Sequence, residues 1–462
     1  MIKKRFHQHW VFQSPEAILT CSILKCKDKS YLVFGGHDKT LYLMNHDLMI
    51  LDDINFDGWC RCSYTIDIDG DGCDEVLVGT GDGRFLVLKL DKEQEKLVGI
   101  MNYKSDGKVI CCTAGDLYRD GNIELIFGGE DKTLKIFKNI ASKEPILTLY
   151  YDSWVTSCTV GGLKLPNKTE PIYGLLIGTH SGTLQLIQIV DNKPDIIWQQ
   201  NIYSEINDIK VGDVTNDGYN EIIVAADDSY IKIYDSLGNR IRFLKISKDH
   251  SKSKKFRLKS LNRAKSLLIA DIDGDNANEI VAGCADGSLR VFHNLEKDSK
   301  NFELKWIAKF SSSIKGICNL VDEKTKLIHI IFGGYERAIR NVTDFEWGKK
   351  PLFKIPQRFK ISKMPLNKSL EKVKLKRVPT NLREHITTLL EKKGFFLTLD
   401  LLIEKLMKKG YNREEIEEQI EAMKTEKTMR YGKVDVHAWS LTNEEIEEYI
   451  KDETEKLDPN NS

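Results

Sequence analysis

The chain is short of the features that announce a membrane or an active site. No stretch of its 462 residues holds the ~18 consecutive apolar residues of a membrane span. The opening residues, MIKKRFHQHWVFQSPE, are basic but lack the apolar run of a secretion signal, so the expectation is a cytoplasmic protein. Charge of one sign is missing too: Lys plus Arg and Asp plus Glu both number 69, a formal net charge of +0. Nothing therefore draws the whole chain to nucleic acid or to an anionic surface, and such binding must be local.

Catalytic motifs are also wanting. There is no GxSxG, HExxH, Gly-Lys-Ser/Thr phosphate loop or dinucleotide fingerprint, and the ten histidines are scattered, so no enzyme is expected. The ten cysteines form no CxxC pair, which argues against zinc. Six of them (Cys21, Cys62, Cys111, Cys112, Cys158, Cys318) fall in one repeated β-segment, where a thiol serves as a small apolar group. Free, structural thiols in a reducing compartment are the expectation.

What is present is a repeat. Seven segments superpose: VFGGHDKTLYL from Val33, LVGTGDGRFLVL from Leu77, IFGGEDKTLKIF from Ile126, LIGTHSGTLQLI from Leu176, IVAADDSYIKIY from Ile223, VAGCADGSLRVF from Val281 and IFGGYERAIRNV from Ile331. Alternating apolar residues around Gly, Asp, Lys and Ser turns predict a β-hairpin in each. Their spacing, roughly 44 to 58 residues, suits four-stranded propeller blades. Before each hairpin lies a segment of small and apolar residues, such as ILTCSIL from Ile18 or VICCTAG from Val109, that predicts an innermost strand. Outermost strands carry aromatics, as in IIWQQNIYS and LKWIAKFSS. HWVFQSPE at the N-terminus has the same shape, so Trp10 to Gln13 are expected to complete the last blade and close the ring.

Between inner strand and hairpin, four repeats carry an acidic loop: DIDGDGCDE at Asp67 to Glu75, DIDGDNANE at Asp271 to Glu279, DVTNDGYNE at Asp213 to Glu221 and DLYRDGNIE at Asp116 to Glu124. Oxygens at loop positions one, three, five and nine, with a backbone carbonyl at seven, can converge on a hard cation such as Ca2+. The competing account is a set of Asp-rich turns whose side chains bond their own amides. An EF-hand is excluded, because its loop runs to a twelfth-position Glu between helices.

The loops and hairpins together resemble the FG-GAP (VCBS-type) repeats of integrin α-subunit propellers and of intracellular FG-GAP scaffold proteins, over roughly residues 1 to 345. The resemblance implies a mainly β, seven-bladed propeller closed by its N-terminal strand, with two to four loop sites for Ca2+. It makes Asp67, Asp69, Asp71, the Cys73 carbonyl and Glu75 one site, and Asp271, Asp273, Asp275, the Ala277 carbonyl and Glu279 a second. A third would use Asp213, Thr215, Asp217, Tyr219 and Glu221, with Thr215 in place of a carboxylate. A fourth would use Asp116, Asp120 and Glu124, with Tyr118 at the third position.

The propeller, residues 1–345, is interrupted by a basic insertion from Lys245 to Lys265 that could meet phosphates of nucleic acid or anionic lipid. A basic linker, 346–378, precedes a change of pattern: helices, then a hairpin through Gly432, then a helix, over 379–462. That order resembles a small α+β winged-helix domain. Its third helix holds Glu414, Glu415, Glu417, Glu418 and Glu421, which favours protein over DNA. The reading is a non-enzymatic scaffold or adaptor, a subunit of a complex of proteins. The alternative is a nucleic-acid-associated regulator using the basic loop and the winged helix.

Overall fold

The computed structural model describes residues 6–165, 171–190, 193–246, 263–294, 301–322, 325–344 and 413. The chain divides into two compact units, Met1–Lys360 and Ile361–Ser462. In the second only Arg413, a helical residue, is described. The winged-helix and linker expectations, and most of the basic insertion, therefore lie outside the described residues.

Among the described residues the first unit has 28 strands in seven four-stranded antiparallel sheets. The chain opens with β1 (Phe6–Gln13). Blade 1 follows as β2 (Ile18–Cys26), β3 (Lys29–Gly36), β4 (Thr40–Met44) and β5 (Ile50–Asn55). Blade 2 is β6 (Cys60–Ile66), β7 (Glu75–Thr80), β8 (Arg84–Asp91) and β9 (Lys96–Lys104). Blade 3 is β10 (Val109–Gly115), β11 (Glu124–Gly129), β12 (Thr133–Phe137) and β13 (Leu147–Tyr150). Blade 4 is β14 (Val155–Leu163), β15 (Ile172–Thr179), β16 (Thr183–Val190) and β17 (Lys193–Asn201). Blade 5 is β18 (Ile206–Gly212), β19 (Glu221–Ala226), β20 (Tyr230–Tyr234) and β21 (Arg240–Lys245). Blade 6 is β22 (Ala264–Ala270), β23 (Glu279–Cys284), β24 (Ser288–Asn294) and β25 (Phe302–Lys309). Blade 7 has β26 (Ile314–Val321), β27 (Ile328–Gly334) and β28 (Ala338–Asp344), and β1 is its fourth strand.

Closure is thus made by the chain start. β1 pairs antiparallel with β28, from Phe6 opposite Asp344 to Gln13 opposite Ala338. This covers the edge of β28 and gives blade 7 its fourth strand, as in the other six blades. Trp10 and Phe12 also pack against a core cluster that joins blade 7 (Ile331, Ile339) to blade 1 (Ile18, Phe34).

The core is distributed between blades. Leu41, Leu43 and Cys60 pack with Val76 and Val78 across blades 1 and 2, and similar clusters join each following pair. Blades approach so closely that the second strand usually carries Gly where it faces the next inner strand. A methyl group at Gly79 would stand 2.5 Å from Val109 Cγ1, and one at Gly128 2.5 Å from Val155 Cγ1. Blade 5 has Ala225 at the same register, and its neighbour shrinks to match: Ala225 and Ala264 share one cluster. Small against large, or medium against medium, keeps the gap filled.

Every inner strand slips by one residue against its partner at the same place, near its start. The residue at the slip is Arg61 in blade 2, Lys265 in blade 6 and Lys315 in blade 7. In the other blades it is uncharged: Leu19, Ile110, Thr156 and Asn207. All seven are partly exposed, although most of the residues beside them are buried.

One expectation is corrected. Cys26 and Cys73 are not free thiols but a disulfide, 47 residues apart in sequence. The β2–β3 turn of blade 1 reaches the loop of blade 2, where the Lys27 N–H donates to Gly72 O and the Asp74 N–H to Lys25 O. That two-bond bridge sets the sulfurs side by side, an inter-blade contact that spacing within one repeat does not reveal. The other eight cysteines are free, most of them buried.

Candidate functional site

Each acidic loop joins a blade's first strand to its second, so all four lie on the same face of the ring, opposite the slipped residues. Positions four and six of each loop have left-handed backbone: Gly70 and Gly72, Arg119 and Gly121, Asn216 and Gly218, Gly274 and Asn276. Two such residues curl the chain tightly enough to turn successive carboxylates inward.

In blade 2 the carboxylates divide their work between two sets of atoms. Asp67 accepts the Gly70 and Gly72 amides at 2.8 and 2.9 Å, Asp69 Oδ1 the Asp71 amide, Asp71 Oδ1 the Cys73 amide and Glu75 Oε2 the Ile68 amide. The second oxygens of Asp69, Asp71 and Glu75 converge on one point, which the Lys89 ammonium of β8 occupies. Lys89 Nζ contacts Asp69 Oδ2, and lies 3.0 Å from Asp71 Oδ2 and 3.3 Å from Glu75 Oε1. The Lys89 and Lys92 ammonium groups hold Asp71 down to about 2, whereas burial raises Glu75. One oxygen of Asp67, Asp69 and Asp71 each lies within 4.8 Å of the others, close enough for a shared cation.

Blade 6 repeats the pattern with a different lysine. Asp271 accepts three loop amides, from Gly274, Asp275 and Asn276, and Glu279 Oε2 accepts that of Ile272. Asp271, Asp273 and Glu279 cluster, and Lys305 of β25 contacts Asp273, with Glu279 Oε1 at 3.9 Å and Asp344 Oδ2 at 4.0 Å. Lys305 arises at the slip between Leu304 and Trp306 in the outer strand. Its side chain is only 3% exposed, against 29% for Lys89. Burial and the nearby Asp275 and Asp271 charges push Glu279 up to about 8.

In the two weaker loops no lysine bridges several carboxylates among the described residues. In blade 5 the Thr215 hydroxyl donates to Glu221 Oε1 at 3.2 Å, and no ion pair reaches Asp213, Asp217 or Glu221 among the described residues. Burial raises Glu221 to about 7. In blade 3 Asp116 accepts the Asp120 and Gly121 amides, and Lys138 lies 3.8 Å from Asp120. Glu124 Oε1 and the Tyr118 hydroxyl are buried there without a hydrogen-bond partner.

The turn-bracing account is thus seen in all four loops, and in blades 2 and 6 the remaining carboxylate oxygens face a lysine ammonium. Sequence reasoning missed the lysines. The available signal was Lys89 directly after the alternating FLVL of its strand, a register that Lys138 repeats one blade later.

Comparison with known protein families finds two matches. A BBS7 beta-propeller family model matches residues 6–172, from β1 to the start of β15. A family model described as integrin-alpha FG-GAP repeat-containing protein 2 matches residues 190–315, from the end of β16 to the start of β26. No curated protein matches the chain.

Proposed function

We propose that this chain is a non-enzymatic intracellular scaffold or adaptor, a subunit of a larger assembly, whose propeller engages partner proteins and whose acidic loops hold Ca2+. The observation that carries the scaffold reading is a rigid closed ring with large aromatics left in water on one face. Tyr203 is 89% exposed and Trp154 41%, both in connections that lead into inner strands, and Tyr150, 81% exposed, ends the outer strand β13 beside Trp154's connection. Exposed Tyr and Trp on a rigid frame are what protein interfaces favour. The two family matches, each to part of the ring, are compatible with this reading. A second protein contact through residues 379–462 belongs to the proposal and rests on sequence alone.

For Ca2+ the residues fit best in blade 2. The cation would be held by Asp67, Asp69, Asp71, Glu75 and the Cys73 carbonyl, and would supply charge neutralisation and loop stiffening. It must displace Lys89, whose partly exposed side chain can swing into water. Blade 3 leaves Glu124 Oε1 unpartnered, but Asp116, Asp120 and Glu124 do not draw together as the carboxylates of blades 2 and 6 do. Blade 6 gathers Asp271, Asp273 and Glu279 as closely, but a cation there must displace Lys305, which is buried against Asp273. Blade 5 offers fewer charges, since Thr215 replaces a carboxylate.

Purification of the tagged full chain from its own cells should recover stoichiometric partners, with recovery reduced by Trp154→Ser and Tyr203→Ser together. Repeated recovery of the protein alone, under gentle extraction, would remove the scaffold reading.

A further inference from the structure

The slipped residues form one level of the central channel, on the face opposite the acidic loops, and three of the seven are cations. Their charges are not equally met. Lys265 Nζ lies 2.7 Å from Asp227 Oδ1 and 2.8 Å from Asn207 Oδ1, and Arg263 pairs with the same aspartate. Arg61 stands over the Trp59 ring at 5.9 Å, a contact that holds a guanidinium without neutralising it. Neither Arg61 nor Lys315 has a hydrogen bond or ion pair to a carboxylate among the described residues. Glu205 and Asp227 act on Lys315 without a direct contact, and Asp227 is already shared by Lys265 and Arg263. A cation recessed in a channel without a partner is expensive to keep and points to an anion that supplies the missing half.

We propose that this mouth of the channel is an anion site in which Arg61, Lys315 and Lys265 together bind a phosphate group carrying two negative charges. A fork of N–H donors beside two ammonium groups suits tetrahedral oxygens better than a single carboxylate, because several donors approach from different blades. Burial and the Lys265 and Arg61 charges lower the Lys315 ammonium to about 8, as expected of cations gathered with too little counter-charge. The bulge explains the placement: an extra residue in the inner strand turns its side chain out of the sheet stack and into the channel. The same register position in the other blades is apolar or small and polar, so the charge is concentrated in blades 2, 6 and 7.

The test uses the full chain and two probes, free tripolyphosphate and a short phosphoserine peptide, followed by calorimetric titration and melting. Saturable binding of either probe is expected, with Kd raised at least about tenfold in Lys315→Met and in Arg61→Met, and unchanged in Lys143→Met on a distant loop. Preference between the probes tells whether the phosphate is free or carried on protein. Without probe, Lys315→Met should melt at or above the wild-type temperature, since an unmet charge has been removed. Absence of saturable binding of both probes at low ionic strength, or equal binding by wild type and both mouth variants, would overturn the proposal.

Discussion

His9 on the closing strand and His329 in β27 lie with ring centroids 5.0 Å apart, each anchored by its own polar partner on β28. His9 Nε2 is 2.8 Å from Thr343 Oγ1, and His329 Nδ1 is 2.9 Å from Asn341 Oδ1. Burial, then His329 and His7, lower His9 to about 4, and burial lowers His329 although Asn341 and Asp322 oppose it. The seam that closes the ring is thus held by two imidazoles that must stay neutral.

Acid should open that seam first. A histidine depressed in the folded state gives stability that is complete above its unfolded value near 6.5 and is lost as pH falls toward about 4. The loss is on the order of 2 kcal/mol after discounting for solvent. Raised carboxyls such as Glu279 titrate with the opposite sign, so the measurement is a difference. Melting temperature of wild type minus that of His9→Asn should shrink between pH 7 and pH 4.5. A constant difference would remove His9 from the account.

Removal of residues 1–13 should lower the melting temperature by more than about 10 °C, or leave the ring unable to fold, because β28 becomes an open edge and the cluster around Trp10 and Phe12 is lost. Differential scanning of the truncated and intact chains decides this. Coincident melting would mean that β1 is dispensable.

Gly128→Ala should cost about 1–3 kcal/mol, since the added methyl meets Val155 at 2.5 Å. Val155→Ala in the same chain should recover part of that loss, copying the Ala225 and Ala264 solution of the next interface but one. A double-mutant cycle by urea unfolding measures the coupling. Strict additivity would show that the two sites do not meet.

Replacement of Cys26 and Cys73 by Ser should lower stability by about 3–4 kcal/mol in the chain-entropy account for a loop of 47 residues. Thiol titration under denaturing conditions, before and after reduction, should rise by two groups. No change on reduction would mean the pair is not joined.

Lys89→Met should sharpen the response of the chain to Ca2+, because the internal competitor for Asp69, Asp71 and Glu75 is gone. The Ca2+ concentration that half-saturates the melting shift is expected to fall about tenfold. If Ca2+ moves neither wild type nor variant, the blade 2 loop is locked by lysine and is no metal site.

The ring was legible in the chain because its units are local. Hairpins, inner strands and even the closing role of Trp10 to Gln13 could be read from period-two alternation and spacing, and β1 to β28 bear these out. The acidic loops were legible as sequence patterns, and the left-handed positions follow from Gly and Asn, with Arg119 the exception. What escaped were contacts across repeats: Lys89 and Lys305 reaching back to the loops, Cys26 meeting Cys73, and three cations brought level by seven bulges. A one-residue slip leaves no mark in an apolar pattern, so the shared register of Arg61, Lys265 and Lys315 was invisible until strands were paired.

Because β1 is made before every other described strand and β28 after them, the ribosome imposes an order on this ring. His9 and Thr343 are separated by 334 residues. At about 5–20 residues per second, roughly 20–60 s pass before the opening strand can meet its mate. During that interval six finished blades wait with both ends of the array exposed, so the nascent chain is the stage at which this protein most needs a chaperone.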